Sequence, residues 1–502
     1  MKPTGFLFSS ALISAVLALN ACAVGPDYRA PAAPAVTSIT PAPLPPATLQ
    51  AGGTAQHFVS GGDISGEWWS LFHSEELNAL INAALANNPT LQASQQTLVE
   101  AQENVRAAYG QLIPAVSGSF QDERQQPSSA SSAAFGGSAT KSIAPYTLYN
   151  ASLSVSYGLD IWGGARRDVE SLQAQADYQR YQLEAAYLSL TANIVTAAVN
   201  EASLHAQIDA TNAIIATEQK QLDILNRQFA LGGVPKANII SEQATLASTQ
   251  ATLPPLQSQL AQIRNQLADY VGQFPSNYHE ADFTLASLHL PDDVPASLPS
   301  ALVNQRPDIQ AAAQQLHEAS ANVGVATAQM LPQITLSASI GHDALTTASL
   351  FTPQTLIWSL VAGVTQPIFQ GGELAAKRKA AIAALHVAGS QYQATVLAAF
   401  QNVADALQAL QFDAQTLQAA QLAEASSAQS LAVTQSQFKN GSQPFTAVLT
   451  AQATYQNALI ARVKAQSTRL ADTAALFQAL GGGWWHRDDV SEAVKTCCGI
   501  IP

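Results

Sequence analysis

Ala165 to Ala230 is a run of 66 residues without a glycine or a proline. Nothing in it breaks an α-helix, and Ala, Gln, Leu and Glu, all good helix formers, dominate it. At ~1.5 Å per residue the predicted helix reaches on the order of 100 Å, far beyond a globular domain. A second run, Glu373 to Lys439, contains only Gly389 as an interruption. "LGGVP" (Leu231 to Pro235) ends the first run and "NGSQP" (Asn440 to Pro444) ends the second. Each turn leads into a shorter helical stretch, to about Val271 and to Leu480, and another spans about Ser74 to Tyr109. Two stretches of about 36 residues, stacked end to end at ~1.5 Å per residue, match one long helix in length. Pro254-Pro255 is expected to interrupt the stretch after the first turn.

The long helices belong to an internal duplication. "NPTLQASQQTLVEAQENVRAAYGQLIPAVSGS" (Asn88 to Ser119) aligns without a gap on "RPDIQAAAQQLHEASANVGVATAQMLPQITLS" (Arg306 to Ser337). Gly163-Gly164 then matches Gly371-Gly372, Gln228-Phe229 matches Gln437-Phe438, and Pro235 matches Pro444. The offset drops from 218 to about 209, so the first half carries roughly ten extra residues between Phe120 and Tyr149.

Between the helices the period changes to two. In "YNASLSVSYGLDIW" (Tyr149 to Trp162), Tyr149, Ala151, Leu153, Val155, Tyr157, Leu159 and Ile161 alternate with small or polar residues. Such alternation predicts a strand with one apolar and one polar face. The expected strands are about Leu112 to Phe120, Leu148 to Ile161, Gln333 to His342 and Leu356 to Pro367. The apolar face suits a protein core or lipid. Four strands cannot close a barrel, for which about eight is the practical minimum. Open sheet edges are not tolerated in lipid. Strands that span a membrane here therefore require several chains in one barrel, apolar face to lipid and small polar face to a water-filled lumen. Both hairpins send their helices the same way, so the helices are expected on one membrane face.

The N-terminus reads as a secretion signal: Lys2, an apolar run from Phe6 to Leu19, then Leu19-Asn20-Ala21-Cys22. This looks like a bacterial lipobox with an unusual Asn20, and it predicts Cys22 as the lipidated first residue of the mature chain. Pro31 to Gln50, rich in Pro, Ala and Thr, suits an extended linker. Cys497 and Cys498 are adjacent and imply no disulfide framework. Only 11% of residues are charged, the net charge is −13, and no long Lys/Arg run exists, so nucleic acid is not an expected partner. No interior window holds 18 unbroken apolar residues, so no transmembrane helix is expected after the N-terminus. HExxH, P-loop, GxSxG and CxxC patterns are all missing, so no catalytic residue, cofactor, metal or enzymatic activity is expected. His317 and His386 read as surface or packing residues. Trp68, Trp69, Trp484 and Trp485 read as packing rather than a recognition surface.

Several strings follow in order along essentially the whole mature chain. They are "CAVGPDYRAP", "WWSLFHSEELNALINAALANNPTLQ", "LDIWGGARRDVES", "ATLPPLQSQLAQIRNQLA", "RPDI", "QPIFQGGELAAKRKAA" and "LGGGWW". In these the chain resembles the TolC-type outer membrane factors of tripartite efflux pumps. Within them it resembles the lipoprotein branch, NodT-type or OprM-like, that serves resistance–nodulation–division (RND) pumps. The resemblance implies an α+β membrane protein and a homotrimer. Three chains of four strands would build a 12-stranded β-barrel in the outer membrane, continued by a long α-helical barrel in the periplasm with a mixed equatorial region. The implied divisions are a signal peptide (1–21), a lipid-anchored linker (22–66), a first repeat (67–275), an equatorial connection (276–305), a second repeat (306–483) and a tail (484–502).

The implied function is a passive duct for drugs or small toxic compounds, working with a periplasmic adaptor and an inner-membrane RND pump. A type I protein-secretion duct is an alternative. So is a non-pore coiled-coil lipoprotein scaffold, against which the strands and the duplication argue. In the family the helical tips meet the adaptor, which carries over to Gly232, Gly233, Val234, Gly441 and Ser442. The family's acidic entrance positions fall on Asn238, Ala447 and Thr450, so this chain departs from the pattern. Closure is then expected from apolar packing with hydrogen bonds from Asn238 and Thr450, or from acids elsewhere such as Asp405.

Overall fold

The structure is a computed structural model that describes residues 23–36, 38–40, 42–126, 144–278, 282–296 and 299–487. Cys22, Cys497 and Cys498 lie outside the described residues. The elements in chain order are β1 (His57–Ser60), α1 (Glu75–Asn87), α2 (Pro89–Tyr109), β2 (Ala115–Gln125), β3 (Tyr146–Leu159), α3 (Gly164–Ala230) and α4 (Lys236–Val271). There follow β4 (Asp293–Ala296), α5 (Pro299–Gln305), α6 (Pro307–Ala328), β5 (Gln333–Ala344), β6 (Leu356–Thr365), α7 (Glu373–Lys439) and α8 (Phe445–Ala479). The two runs without breakers are α3 and α7, each a single helix of 67 residues. No described helix is long and apolar enough to cross a membrane.

The chain divides into two compact units. One gathers the described residues of 23–31, Val99–Tyr178 and Ala312–Gln391. Its centre is a four-stranded antiparallel sheet in the order β2-β3-β5-β6. The turn from β3 into α3 is capped by Asp160, whose carboxylate accepts from the backbone N–H groups of Ala165 and Arg166, both at 3.0 Å. That satisfies two donors the helix start leaves without partners. The equivalent turns before α3 and α7 carry Gly163, Gly371 and Gly372, all at positive φ.

The other unit holds Ala32–Leu98, Gln179–Ala311 and the chain from Tyr392 onward. Here β1 pairs with β4 in a short parallel ladder. The core gathers Trp68, Trp69 and Phe72, Leu77 and Ile81 of α1, Ile194 and Val195 of α3, and Leu470 and Phe477 of α8. Trp68 stacks on Phe477 with ring centroids 5.4 Å apart. The duplication is visible in atomic detail. A Cβ on Gly272, after α4, would stand 2.5 Å from the Asn87 carbonyl oxygen; one on Gly481, after α8, would stand 2.5 Å from that of Gln305. The helix ends of both repeats thus seat a bare backbone on the equivalent carbonyl, which only glycine permits.

Two expectations are corrected. The stretch from Ser74 to Tyr109 is two helices, because Asn88 leaves helical geometry at ψ 119°. Its Oδ1 then accepts from the Leu91 N–H at 2.9 Å and caps α2, with Pro89 in the first turn, where it needs no donor. Conversely, Pro254-Pro255 does not interrupt α4. The carbonyls deprived of their N–H partners are those of Gln250 and Ala251, and both residues are exposed to solvent. Buried Leu246 and Thr249 before the prolines, and Leu267 and Ala268 after them, hold the helix from both sides.

Candidate functional site

Alternation along each strand becomes two opposed faces once the register is known. Ser117, Ser154, Ser339 and Ser359 lie in one row across all four strands. Their hydroxyls pair at 2.8 Å between Ser117 and Ser154 and again between Ser339 and Ser359. The neighbouring row is Ser119, Ser152, Gly341 and Ile357. On the opposite face the rows read Val116, Val155, Ala338, Leu360, and Gly118, Leu153, Ile340, Trp358. Trp358 is 74% and Leu360 75% exposed, so this apolar face covers no core within the chain. Among the described residues strands β2 and β6 are each hydrogen-bonded on one side only, which leaves both edges of the sheet open.

The two helical turns are copies of one motif. Gly233 N–H donates to the Gln228 carbonyl at 2.8 Å and Gly232 N–H to that of Phe229 at 2.9 Å. Ser442 N–H donates to Gln437 and Gly441 N–H to Phe438, both at 2.9 Å. These are Schellman closures, and they need the left-handed backbone that Gly232 (φ 73°) and Gly441 (φ 74°) adopt. A Cβ on either glycine would meet no atom within 4 Å. Leu231 beside them is 87% exposed, and Val234 is half-buried against a cluster of Leu222, Leu225, Ile239, Leu246, Phe445 and Val448. The structure therefore brings the flanks of both turns together. Asn238 and Ala447 occupy equivalent places, their N–H groups donating to Pro235 and Pro444 carbonyls at 3.1 and 3.0 Å. Thr450 is exposed, and its hydroxyl donates to the Thr446 carbonyl of its own helix at 3.0 Å. Asp405 is exposed and accepts from Gln401. No group of three His, Cys, Asp or Glu side chains able to hold a metal occurs among the described residues.

The profile of the family described as "Outer membrane efflux protein" matches residues 80–273 and 298–482. The chain belongs to the outer membrane efflux protein family. It is 30% identical to the pyoverdine export outer membrane protein OpmQ of Pseudomonas aeruginosa, over 94% of this chain and 96% of that one. It is 25% identical to outer membrane protein OprJ of the same species, over 96% and 97%. Among solved structures the Campylobacter jejuni CmeC outer membrane channel superposes with a TM-score of 0.84 at 21% identity, covering 95% of this chain and 98% of that one. The outer-membrane channel OprN gives 0.82 at 23% identity, covering 92% and 100%. The family is one of outer membrane transport channels, and this protein is an outer membrane protein.

In this efflux protein the segment after Cys22 forms a feature that the reading as a plain linker missed. Residues 23–28 are pinned beside the start of α3. Val24 N–H donates to the Trp162 carbonyl at 2.9 Å. Arg167, only 6% exposed at its side chain, donates to Asp27 at 2.6 Å and Glu170 at 2.7 Å, and its Nε to the Val24 carbonyl. His317 on α6 stacks on Tyr28 at 4.2 Å and contacts Glu170 at 3.0 Å. Gly25 and Gly324 meet backbone to backbone: a Cβ on Gly25 would lie 2.5 Å from the Gly324 Cα. Gly324 inside a helix was the available signal, since an interior glycine there costs stability unless another backbone needs the space. The tryptophans are packing residues as expected: Trp68 and Trp69 are buried, and Trp484 Nε1–H donates to the Gln305 carbonyl at 2.7 Å.

Proposed function

We propose that three copies of this chain close their sheets edge to edge into a 12-stranded barrel that opens a passive duct through the outer membrane. The observation that carries this reading is the four-stranded sheet with one apolar face, one hydroxyl-lined face and two open edges. In lipid such edges must be paired, and β2 of one copy against β6 of the next does so. The two edge strands have 11 and 10 residues, close to the ~9–11 that a tilted membrane strand needs. The resemblance stated above favours three copies over two. Apolar rows with Leu360 and Trp358 then face lipid, and the serine row lines the lumen.

The duct works as the outer component of a tripartite pump, with a periplasmic adaptor meeting the turns at Gly232, Gly233, Val234, Gly441 and Ser442, and an inner-membrane RND pump supplying the cargo. Asn238, Ala447 and Thr450 lie at the entrance. Cys22 carries the lipid anchor. Relatives are named for pyoverdine export (OpmQ), antibiotic efflux (ArpC) and toluene efflux (TtgC). The serine rows offer only small hydroxyls to such cargo, with Asp343 and Glu123 on the same face further along the strands, so drugs and small toxic compounds are the cargo class and the pump makes the choice. The test is paired: the particle mass in mild detergent and conductance in a planar bilayer. A mass of three chains with stable conductance is expected. A stable monomer that keeps its strand content, or a trimer without conductance, overturns the proposal.

A further inference from the structure

The side chains packed behind the turns include two acids. Glu218 on α3 and Glu242 on α4 are both fully buried. Glu242 sits on the stripe Ile239, Glu242, Leu246, Thr249, and Glu218 on the stripe Glu218, Leu222, Leu225; the apolar members of both stripes form the cluster that joins the turn flanks. One oxygen of Glu218, Oε1, accepts from Thr249 Oγ1 at 3.0 Å and from Gln452 Nε2 of α8 at 3.1 Å. Its second oxygen and both oxygens of Glu242 have no hydrogen-bond donor.

Among the described residues no cation offsets the pair. The one charge that acts on Glu242 is that of Glu218, and the two partners of Glu218 are neutral. The charged residues nearest in sequence are Asp209, Lys220, Asp223 and Arg227 on α3, Lys236 on α4 and Lys439 on α7, and all six are exposed. The apolar side chains that α7 brings to the adjoining cluster are Leu431 and Phe438, and those from α8 are Phe445, Val448 and Leu449. Two buried carboxylates with no compensating cation strongly disfavour both being ionised at once. Burial, and then the neighbouring Glu218, push Glu242 up to about 7.

We propose that Glu218 and Glu242 form a proton-operated latch: with the Glu242 carboxyl neutral the α3, α4 and α8 flanks of the turns stay packed, and loss of its proton to solvent loosens them. The physical basis is linkage. A closed bundle that holds its proton more tightly than an open one opens more as pH rises between the two pKa values. The open-state carboxyl titrates near ~4.3. For Glu242 alone, opening then increases roughly 40-fold from pH 5 to pH 7 and levels off within about another twofold above pH 7. The latch requires no metal and no second ligand.

Hydrogen–deuterium exchange by mass spectrometry on the full-length assembled protein tests this, with each rate divided by the intrinsic amide rate at that pH. In the wild type, protection of 211–230 and 236–250 should fall by more than an order of magnitude from pH 5 to 7 and then flatten. Glu242→Gln, neutral and of the same shape, should lose most of this pH dependence and keep only the part that buried Glu218, itself pushed up by burial, contributes. Glu218→Gln removes the neighbouring charge and should move the midpoint down. Equal pH dependence in wild type and Glu242→Gln overturns the latch. So does failure of Glu242→Gln to assemble, because a neutral side chain is what the closed bundle favours. One equivalent of metal per chain retained by the wild type and lost in Glu242→Gln, read by elemental analysis, would replace the latch with a metal site.

Discussion

Ser359 and Leu360 are adjacent on β6 and belong to opposite faces, so the same substitution at each tests the proposed lumen and lipid faces against one another. Leu360 lies near the middle of its ten-residue strand, in a row with Ala338, Val155 and Val116. Arginine on the lipid face of an outer membrane barrel costs ~2–4 kcal/mol at the bilayer midplane. At 1.4 kcal/mol per factor of ten, that lowers the assembled fraction of Leu360→Arg roughly 30- to 700-fold for each copy counted separately. In the proposed trimeric barrel three copies raise the cost to about 6–12 kcal/mol if they act independently. Ser359→Arg breaks the 2.8 Å contact with Ser339 but places the guanidinium in water, where it costs little. The assay is the amount of full-mass oligomer extracted from outer membranes, with bilayer conductance measured on what assembles. Leu360→Arg should be nearly absent from the outer membrane. Ser359→Arg should assemble close to wild-type level, with lower conductance to cations because the added guanidinium groups repel them. Equal assembly of the two, or loss of Ser359→Arg with normal Leu360→Arg, would refute the assignment of faces and with it the barrel.

Three further outcomes are expected. Labelled palmitate should enter the wild type and not Cys22→Ser; label that persists in the serine variant removes Cys22 as the anchor. Gly324→Val should lower the thermal midpoint, at a cost of about 1–3 kcal/mol for overpacking, because its Cβ would press within 2.8 Å of Arg167 Cγ and of the Val24 carbonyl; an unchanged midpoint would mean that residues 23–28 are not held there in solution. Burial, with Asp472 alongside, raises Asp413 well above the ordinary carboxylate range, so the folded state favours its protonated form. Its contribution to stability is therefore full below the ordinary carboxylate range and is lost as pH rises toward neutrality, and Asp413→Asn should flatten the fall of thermal midpoint over that window.

What could be read in the chain beforehand follows from how far each signal reaches. The strands announce themselves because period-two alternation is local, and the structure keeps β3 within a few residues of the expected Leu148 to Ile161. β2 was expected to stop at Phe120, yet it continues through Asp122, Glu123 and Arg124, which carry no apolar alternation; they are strand because β3 continues opposite them, pairing Glu123 with Leu148 and Arg124 with Thr147. The turns at Gly232 and Gly441 were legible because a left-handed backbone position leaves glycine as its trace. Residues 23–28 left none, since extended chain pinned by Arg167 and stacked by His317 has no period of its own. The two buried glutamates left only a weak trace, an acid at helical spacing from Leu222 and Leu225 and from Ile239 and Leu246. Glu218 sits in a helix full of polar residues, and its donor Gln452 is 234 positions away. A glutamate on a helix predicts a solvated face; the stripe Glu218, Leu222, Leu225 hints otherwise, but only the packing of α4 and α8 against it decides that the carboxyl is buried.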